Sequence, residues 1–447
     1  MKPITFFDME IDPGSERIVD IGGIKADGRS FHSGSVAEFI EFLQGTRYIC
    51  GHNILNHDLK YIQHVFTQAK LRDLKYIDTL YLSPLLFPAK PYHALLKDDK
   101  LQTNDLNNPL NDSIKARDLF YDEVTAFLRL DDDLKAIFYY LLRDKSEFSA
   151  FFHFLGYEVK EINIVRIIRE RFHSKICSEA DLKGITARYP VELAYCLALI
   201  NVNDRYSITP SWALKSFPEI QNVMTLLRER TCLKGCSYCA EALDIHKGLK
   251  RFFGFDFFRT FGGEPLQEKA VRAAVDGKSL LAVFPTGGGK SITFQVPALM
   301  SGANSKSLTV VISPLQSLMK DQVDNLEKAG ITEAVTINGL QDPIERSKSI
   351  QRVEAGLASI LYIAPESLRS RTIEKLLLGR NIDRFVIDEA HCFSAWGQDF
   401  RVDYLYIGEF IKYIKEKKNI PEIPVSCFTA TAKQNVIEDI RKYFKDK

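Results

Sequence analysis

The stretch Leu280-Leu-Ala-Val-Phe-Pro-Thr-Gly-Gly-Gly-Lys-Ser291 decides the fold of the C-terminal part of the chain. An apolar strand runs into a glycine-rich turn, and a helix-compatible run follows. Gly287, Gly288 and Gly289 let backbone N–H groups turn inward around phosphate oxygens. The N-terminus of the next helix also favours an anion, so the stretch predicts a nucleotide phosphate-binding loop.

The two residues after the glycines and a later acidic motif complete this prediction. Lys290 can reach the β- and γ-phosphates, and Ser291 can be a ligand of Mg²⁺. Downstream, Phe385-Val-Ile-Asp-Glu-Ala-His391 gives a strand that ends in two carboxylates. Asp388 would hold Mg²⁺ through water, and Glu389 would polarise the attacking water.

Two further features lie at distances that fit such a site. Gln267, upstream of the loop, is placed to read an adenine edge by paired hydrogen bonds. Thr429-Ala-Thr431 follows another apolar strand and could couple the phosphate site to a second surface. Together these features predict a machine driven by nucleotide hydrolysis.

Length and composition limit what else the chain can be. At 447 residues, with 45% apolar and 26% charged residues, two or three globular domains are expected. The net charge of +1 gives no global basic field, so nucleic acid must be held by local patches. We expect no signal peptide and no membrane segment, and eight cysteines in so long a chain favour a reducing cytoplasm.

The residue pattern divides the chain into three parts and predicts an α/β protein. Residues 1–125 alternate short strands and helices, and residues 126–245 are mainly helical and end in a cysteine cluster. Residues 246–447 repeat strand–helix units with almost continuously apolar strands. Such strands predict a parallel sheet that helices cover on both faces.

The N-terminal part carries acidic residues that suit metal binding. Alternation along the first strand puts Asp8 and Glu10 on the same face. With Asp58 and Asp118 they make four carboxylates, which could hold two divalent ions for phosphodiester hydrolysis.

The middle part contains the thiol pattern C-x3-C-x2-C at Cys232, Cys236 and Cys239. Thiolates this close in a reducing cell usually bind metal, and His246 or Cys196 could be the fourth ligand. Zinc is the leading prediction, while an iron–sulfur cluster and free buried thiols stay open. The remaining cysteines have no partner pattern and are predicted to be core residues: Cys50, Cys177, Cys392 and Cys427.

The C-terminal part resembles the first, RecA-like domain of superfamily 2 helicases, specifically the RecQ-type DNA helicases. The segments that carry the resemblance are Phe284–Ser291, Ser313–Gln322, Leu361–Glu366, Asp388–Arg401 and Thr429–Thr431. The resemblance implies ATP hydrolysis with Mg²⁺, coupled to movement on single-stranded or tailed DNA in repair or recombination. It also implies a bacterial-type cytoplasmic protein that acts at the nucleoid.

The same resemblance assigns roles to individual positions. It implies an ATP site at Phe255, Arg259, Gln267, Thr286, Gly287, Gly288, Gly289, Lys290, Ser291, Asp388, Glu389, Thr429 and Thr431. It implies DNA contacts at Ser313, Trp396, Phe400 and Arg401, and exposed aromatic rings do stack on bases of any sequence.

The chain ends at Lys447, just after the third helicase motif. The resemblance implies a second RecA-like domain, whose arginines complete the ATP site. We therefore expect a fragment, or one half of a split machine whose partner chain supplies that domain. Such a chain would bind ATP but hydrolyse it only weakly by itself.

The N-terminal part resembles the DnaQ-like DEDD exonucleases, which implies a ribonuclease H-like α/β domain. The matching segments are Phe6–Glu10, Ile18–Gly22, Gly51–Asp58 and Ile77–Leu80. The resemblance implies Mg²⁺ or Mn²⁺ at the four carboxylates and 3′–5′ exonuclease activity. Ser113 stands where that family places a histidine base, and nearby His93 is a conceivable substitute. A live nuclease and a degenerate domain that only grips DNA ends therefore both stay open.

Two other functions remain as alternatives for the whole chain. One is a regulatory protein that holds ATP and DNA without turning ATP over. The other is an RNA helicase of the DEAD-box type. The sequence Asp388-Glu-Ala-His391 and the loop that contains Trp396 favour DNA over RNA.

Overall fold

The computed structural model describes residues 2–69, 71, 73–90, 93, 95, 108–160, 162–202, 208–229, 232, 235–285, 288–339, 341–393, 401–430 and 433–445. The chain forms two compact units. Unit 1 comprises residues 1–171 and 183–202, and unit 2 comprises residues 172–182 and 203–447. Within the described ranges, no helix has the length and apolar character needed to cross a membrane.

Unit 1 is built on a five-stranded sheet of order β3-β2-β1-β4-β5. Strand β1 is antiparallel to β2 and parallel to β4, which is parallel to β5. The strands are Ile4–Ile11 (β1), Ile18–Lys25 (β2), Ser30–Ser33 (β3), Tyr48–Gly51 (β4) and Lys75–Asp78 (β5). The helices are Val36–Phe42 (α1), Asp58–Gln68 (α2), Thr79–Leu86 (α3), Pro109–Arg129 (α4), Asp132–Leu142 (α5), Ser149–Leu155 (α6), Ile164–Arg171 (α7), Leu182–Arg188 (α8) and Pro190–Val202 (α9).

Alternate residues of β1 face two different layers of unit 1. Phe7 and Met9 lie in the core that α1 and α2 cover. Phe6 points to the other side, where its ring lies 5.6 Å from that of Phe120 on α4. The N-terminus of α4 crosses β2 so closely that a Cβ on Gly22 would lie 2.0 Å from the backbone nitrogen of Leu110. Glycine is therefore required there for the helix to pack on the sheet.

Unit 2 contains a six-stranded sheet of order β6-β11-β10-β7-β9-β8, in which all the paired strands are parallel. The strands are Leu280–Val283 (β6), Leu308–Ile312 (β7), Ala334–Ile337 (β8), Ile360–Ile363 (β9), Ile382–Ile387 (β10) and Val425–Thr429 (β11). The predicted parallel sheet is thus confirmed. Apolar clusters lie on both faces of the sheet and bury strands β7 to β10 on both sides.

The helices of unit 2 precede, separate and follow these strands. They are Ser211–Ser216 (α10), Ile220–Arg228 (α11), Ser237–Ala242 (α12), Ile245–Phe253 (α13), Leu266–Val275 (α14), Ile292–Ser305 (α15), Gln316–Lys328 (α16), Pro343–Glu354 (α17), Arg371–Leu378 (α18), Arg401–Lys418 (α19) and Gln434–Lys445 (α20), with 3₁₀ turns at Pro365–Arg369 and Ala390–Phe393. The middle third predicted from sequence does not form a unit of its own. Its helices are divided between the two units.

Arg380 connects backbone segments of unit 2 through hydrogen bonds from its buried guanidinium. Its side chain is 2% exposed, and its guanidinium donates hydrogen bonds to the carbonyl groups of Val353, Lys306 and Ala358. Burial lowers the pKa of Arg380 to about 10, so the group still carries its charge at neutral pH. These three carbonyls would lose their partner if the guanidinium were removed.

We expect Arg380→Met to lower the free energy of unfolding of unit 2 by ~3 kcal/mol, because buried carbonyl groups would be left unsatisfied. Thermal unfolding followed by circular dichroism measures this change. Arg371→Ala, at an exposed position that begins α18, is the control and should leave the transition unchanged. Equal melting curves for both variants would contradict a structural role for Arg380.

Candidate functional site

The predicted phosphate-binding loop lies between β6 and α15. Phe284 is buried after β6, and its N–H donates to the carbonyl of Thr429 at the end of β11. Gly289 has a φ of +64°, which favours glycine, and Ser291 directly precedes the first turn of α15. The loop therefore places its polar groups at the carboxyl ends of the parallel strands. Thr286 and Gly287 lie outside the described residues.

Lys290 joins this loop to the acidic pair after β10. Its Nζ lies 2.6 Å from Oδ1 of Asp388 and 2.9 Å from Oε1 of Glu389. Burial by itself lowers the pKa of Lys290, but the two carboxylates outweigh burial, and the pKa is raised. The ammonium group thus stays protonated and balances two adjacent negative charges. The structure brings together the three residues that the sequence predicted to act on phosphate, Mg²⁺ and water.

Backbone contacts fix the acidic pair. The N–H of Asp388 donates to the carbonyl of Ile312 at the end of β7, with a distance of 2.9 Å. Tyr404 on α19 donates from its hydroxyl to the carbonyl of Asp388 at 3.0 Å. Glu389 has a φ of +48°, in the left-handed region that residues with a side chain rarely adopt. Such strain at a functional position fits a side chain that is held in a required direction.

His391 is a candidate residue to which sequence reasoning gave no role. Its Nδ1 lies 3.2 Å from Oε2 of Glu389 and 3.4 Å from Oγ1 of Thr429. The imidazole therefore connects the carboxylate expected to polarise water with the end of β11. The sequence could have indicated a role for His391, because it is the last residue of the motif Asp388–His391. Tyr404, in contrast, had no local signal, because its contact depends on how α19 packs.

Gln267 contacts the loop directly. Its side chain is 1% exposed, its Oε1 accepts the N–H of Arg259 at 2.8 Å, and its Nε2 donates to the carbonyls of Gly288 and Gly289 at 3.2 and 3.0 Å. Both ends of the amide are therefore occupied by backbone groups of the protein. In this structure Gln267 holds the loop rather than presenting its amide to a base.

Two further residues that the resemblance assigned to the ATP site, Phe255 and Arg259, lie near Gln267 in the sequence. Phe255 is 50% exposed, and its ring lies nearly parallel to that of Phe253, with 6.5 Å between centroids. Arg259 is exposed. An exposed aromatic ring and a guanidinium are both able to stack on a purine.

Two of the four predicted DNA-contacting residues, Trp396 and Phe400, lie outside the described residues, as does Thr431, which was predicted for the ATP site. Arg401 begins α19. Ser313 follows β7 and is 3% exposed. Its hydroxyl has no hydrogen-bond partner among the described residues.

Unit 1 places the predicted nuclease carboxylates on three elements. Asp8 and Glu10 are half-buried on β1. Asp58 begins α2, is 2% exposed, and accepts the N–H of Met9 at 3.1 Å. Burial raises the pKa of Asp58, and His57 partly offsets this effect. Asp118 lies on α4, where it is 62% exposed and pairs with Arg117 at 2.8 Å.

In the part of the chain that the structure describes, these carboxylates are not grouped as ligands of a shared metal ion. Among the described residues, the only set of three or more His, Cys, Asp or Glu side chains placed to hold a metal ion is a cysteine group. Ser113 is buried, and its hydroxyl lies within hydrogen-bonding distance of the carbonyls of Gly22 and Pro109, at 2.9 and 2.7 Å, between which its single proton is shared. The residue at the position where the exonuclease resemblance predicts a base therefore has a structural role, because its hydroxyl bonds α4 to β2.

The cysteine group consists of Cys177, Cys232, Cys236 and Cys239 of unit 2, whose sulfur atoms all lie within 4.8 Å of one another. The sequence predicted the last three, but it assigned Cys177 to the core and named His246 or Cys196 as the fourth ligand. His246 instead faces Glu268 at 3.4 Å and packs against the ring of Phe258. The structure thus corrects the fourth member of the group to Cys177.

Comparison with known proteins identifies the class of the C-terminal region. Residues 264–440 match the DEAD/DEAH box helicase family. The ATP-dependent DNA helicase RecQ of Bacillus subtilis (strain 168) is 40% identical over 195 residues, which are 43% of this chain and 30% of that protein. RecQ of Haemophilus influenzae is 38% identical over 196 residues, 44% of this chain and 29% of that protein.

The region is therefore a DEAD/DEAH box helicase domain with RecQ helicases among its homologues. The chain spans less than a third of the length of these relatives. The solved structure of the DUF1998 helicase MrfA bound to DNA is 21% identical over 44% of this chain and 28% of that chain, with a TM-score of 0.35. That similarity is too distant to support an argument about site or activity.

We expect Gln267→Ala to raise the Kd for ATP about tenfold, because the loop would lose the side chain that bonds two of its carbonyl groups. Titration with a fluorescent ATP analogue measures the change. Gln351→Ala, at an exposed position of α17, is the matched control and should bind like the unchanged protein. Unchanged affinity in Gln267→Ala would contradict the loop-holding role.

Proposed function

We propose that this chain is the ATP-binding part of a RecQ-type DNA helicase that acts in DNA repair or recombination. The observation that carries the proposal is the group of Lys290, Asp388 and Glu389 where strands of the parallel sheet end. This edge is where nucleotides bind in open α/β sheets. The helicase family match over residues 264–440 and the RecQ homologues support the same function.

Each side chain then has a chemical role toward ATP and Mg²⁺. The loop N–H groups and Lys290 would hold the phosphates, so Lys290 would exchange its carboxylate partners for phosphate oxygens. Ser291 and Asp388 would hold Mg²⁺, which supplies charge neutralisation for phosphoryl transfer. Glu389 would then be free to polarise the attacking water.

A line of contacts leads from that carboxylate to another part of the domain. His391 lies between Glu389 and Thr429, so a change at Glu389 on hydrolysis would reach the end of β11. We propose that this connection couples the ATP site to DNA movement. DNA is the proposed partner, and a second RecA-like domain, in the same polypeptide or a partner chain, would complete the motor. A DNA motor of this kind would act in the cytoplasm at the nucleoid.

We propose Mg²⁺ for the ATP site and a resident metal for the cysteine group, zinc being preferred over an iron–sulfur cluster. The four thiols converge from separate segments of the chain, as metal ligands do. For unit 1 we propose an exonuclease-like module that engages DNA ends. Its support is the strand β1 with Asp8 and Glu10, and the nearby carboxylate of Asp58 that accepts from Met9 on that strand.

DNA binding without cleavage is the form of this module that two observations favour. Ser113 is a buried structural residue and cannot act as a general base. Asp118 is solvent-exposed and paired with Arg117 rather than grouped with the other carboxylates. Under this proposal, unit 1 would position a tailed DNA for the motor.

For the motor, we expect Glu389→Gln to bind ATP normally but to hydrolyse it about 100-fold more slowly, because the carboxylate that polarises water is removed. Single-turnover hydrolysis of labelled ATP, with and without single-stranded DNA, measures the rate. Glu327→Gln, near the exposed end of α16, is the matched control. Equal hydrolysis by both variants would refute the assigned role, and stimulation by RNA but not DNA would favour an RNA helicase.

For unit 1, we expect 3′-tailed DNA with Mn²⁺ to be degraded no faster by the unchanged chain than by Asp8→Ala. The reason is that no base stands at position 113. Gel analysis of end-labelled DNA measures digestion, and fluorescence anisotropy measures binding of the same DNA. Digestion that disappears in Asp8→Ala would show instead that the module is a live nuclease.

A further inference from the structure

The cysteine group joins two segments of unit 2 that are far apart in the sequence. Cys177 comes from residues 172–182, and the other three thiols come from residues 232–239. Cys177 and Cys239 are buried, while Cys232 and Cys236 are half-buried. All four sulfur atoms lie within 4.8 Å of one another. Two of the four thiols are therefore shielded from solvent, and the other two are partly accessible to it.

We infer that Cys177, Cys232, Cys236 and Cys239 bind a single Zn²⁺ ion as four thiolates, with Cys177 as the fourth ligand. This inference rests on the metal binding proposed above for the group, and it does not depend on the helicase activity. It assigns a closed structural zinc site, since four protein ligands leave no open position for a substrate.

The spacing of the sulfur atoms separates zinc from an iron–sulfur cluster. Four thiolates at ~2.3 Å from one tetrahedral ion lie about 3.8 Å from one another. The group, with every sulfur within 4.8 Å of the others, needs only a small contraction to reach that geometry. In a [4Fe–4S] cluster each thiolate binds a different iron, which spreads the sulfur atoms further apart. The observed compactness therefore favours a mononuclear site.

Backbone contacts hold the ligands in place. The N–H of Cys236 donates to Sγ of Cys232 at 3.3 Å, and the N–H of Cys177 donates to the carbonyl of Leu227 at 2.8 Å. Gly235, between two of the ligands, has a φ of +62°, which suits a tight turn around an ion. Hydrogen bonds to ligand sulfurs are the outer-shell contacts that orient a metal site.

The site is packed against the helicase domain. Val275, the last residue of α14, contacts the cluster formed by Cys177, Tyr238, Cys239 and Leu243. The first turn of the same helix carries Gln267, which bonds to the phosphate-binding loop. Zinc at the cysteine group would thus fix the segments that support the far end of α14. Its role would be structural, and its loss would lower the melting temperature of unit 2.

Metal content and ligand variants of the full chain test this inference. We expect the unchanged protein, purified without chelator, to contain one zinc per chain by mass spectrometry and to be colourless. Cys177→Ser should release zinc to a colorimetric chelator about tenfold faster, because one of four ligands is lost. His246→Ala and Cys196→Ala, which remove the two alternative fourth ligands, are the matched controls and should retain zinc.

Each contrary outcome overturns a defined part of the inference. Four freely titrating thiols and no metal would remove the site and leave the ATP-binding proposal intact. Iron with visible absorption would overturn zinc, and zinc loss in His246→Ala but not in Cys177→Ser would overturn the fourth ligand. If Cys177→Ser does not fold, X-ray absorption of the unchanged protein decides. Four sulfur neighbours around zinc are expected, and three sulfurs with one nitrogen would refute the assignment.

Discussion

The ion group of Lys290, Asp388 and Glu389 is the constraint on which the proposed ATP site depends. Two adjacent carboxylates at a partly buried sheet edge repel each other, and a nearby cation is needed to balance them. The lysine can reach them because β6 and β10 run parallel and flank β11, so their carboxyl ends meet. The same group makes the site responsive. A triphosphate would take over the contact with the lysine and Mg²⁺ the contact with a carboxylate, so entry of ligand need not leave a charge unpaired.

Residues around the ion group fix the positions of the loop and of the acidic pair. Gln267 holds two loop carbonyls, Tyr404 holds the backbone of Asp388, and the strained backbone of Glu389 fixes the direction of its side chain. A loop held in this way has less conformational freedom to lose when phosphate binds. Position 289 must be glycine for this contact to form, because a Cβ there would lie 2.6 Å from Nε2 of Gln267. Loop and glutamine therefore depend on each other.

Short sequence patterns predicted the features of unit 2 that depend only on neighbouring residues. The parallel strands of unit 2, the loop before Lys290 and the acidic pair after β10 all follow from short runs of apolar, glycine and acidic residues, whose positions a parallel sheet then fixes. The contacts that were missed join distant segments. Cys177 carries no spacing signal relative to Cys232, and the amide of Gln267 could not be assigned to the loop before the packing of α14 was known. Ser113 was recognised as unsuited to catalysis, but its bond to Gly22 required the close crossing of α4 over β2.

The two acidic sites of the chain differ in what compensates their charge, and this difference bears on function. In unit 2 a lysine lies within hydrogen-bonding distance of both carboxylates, so the charge balance already suits an exchange with Mg²⁺ and phosphate. In unit 1 Asp58 is buried and satisfied by a backbone N–H, while Asp118 faces solvent beside Arg117. Bringing Asp118 to a shared metal would require breaking that pair and reorienting the side chain on a helix that Ser113 fixes to the sheet. If unit 1 engages DNA ends as proposed, the positions of Ser113 and Asp118 on α4 therefore fit binding better than cleavage.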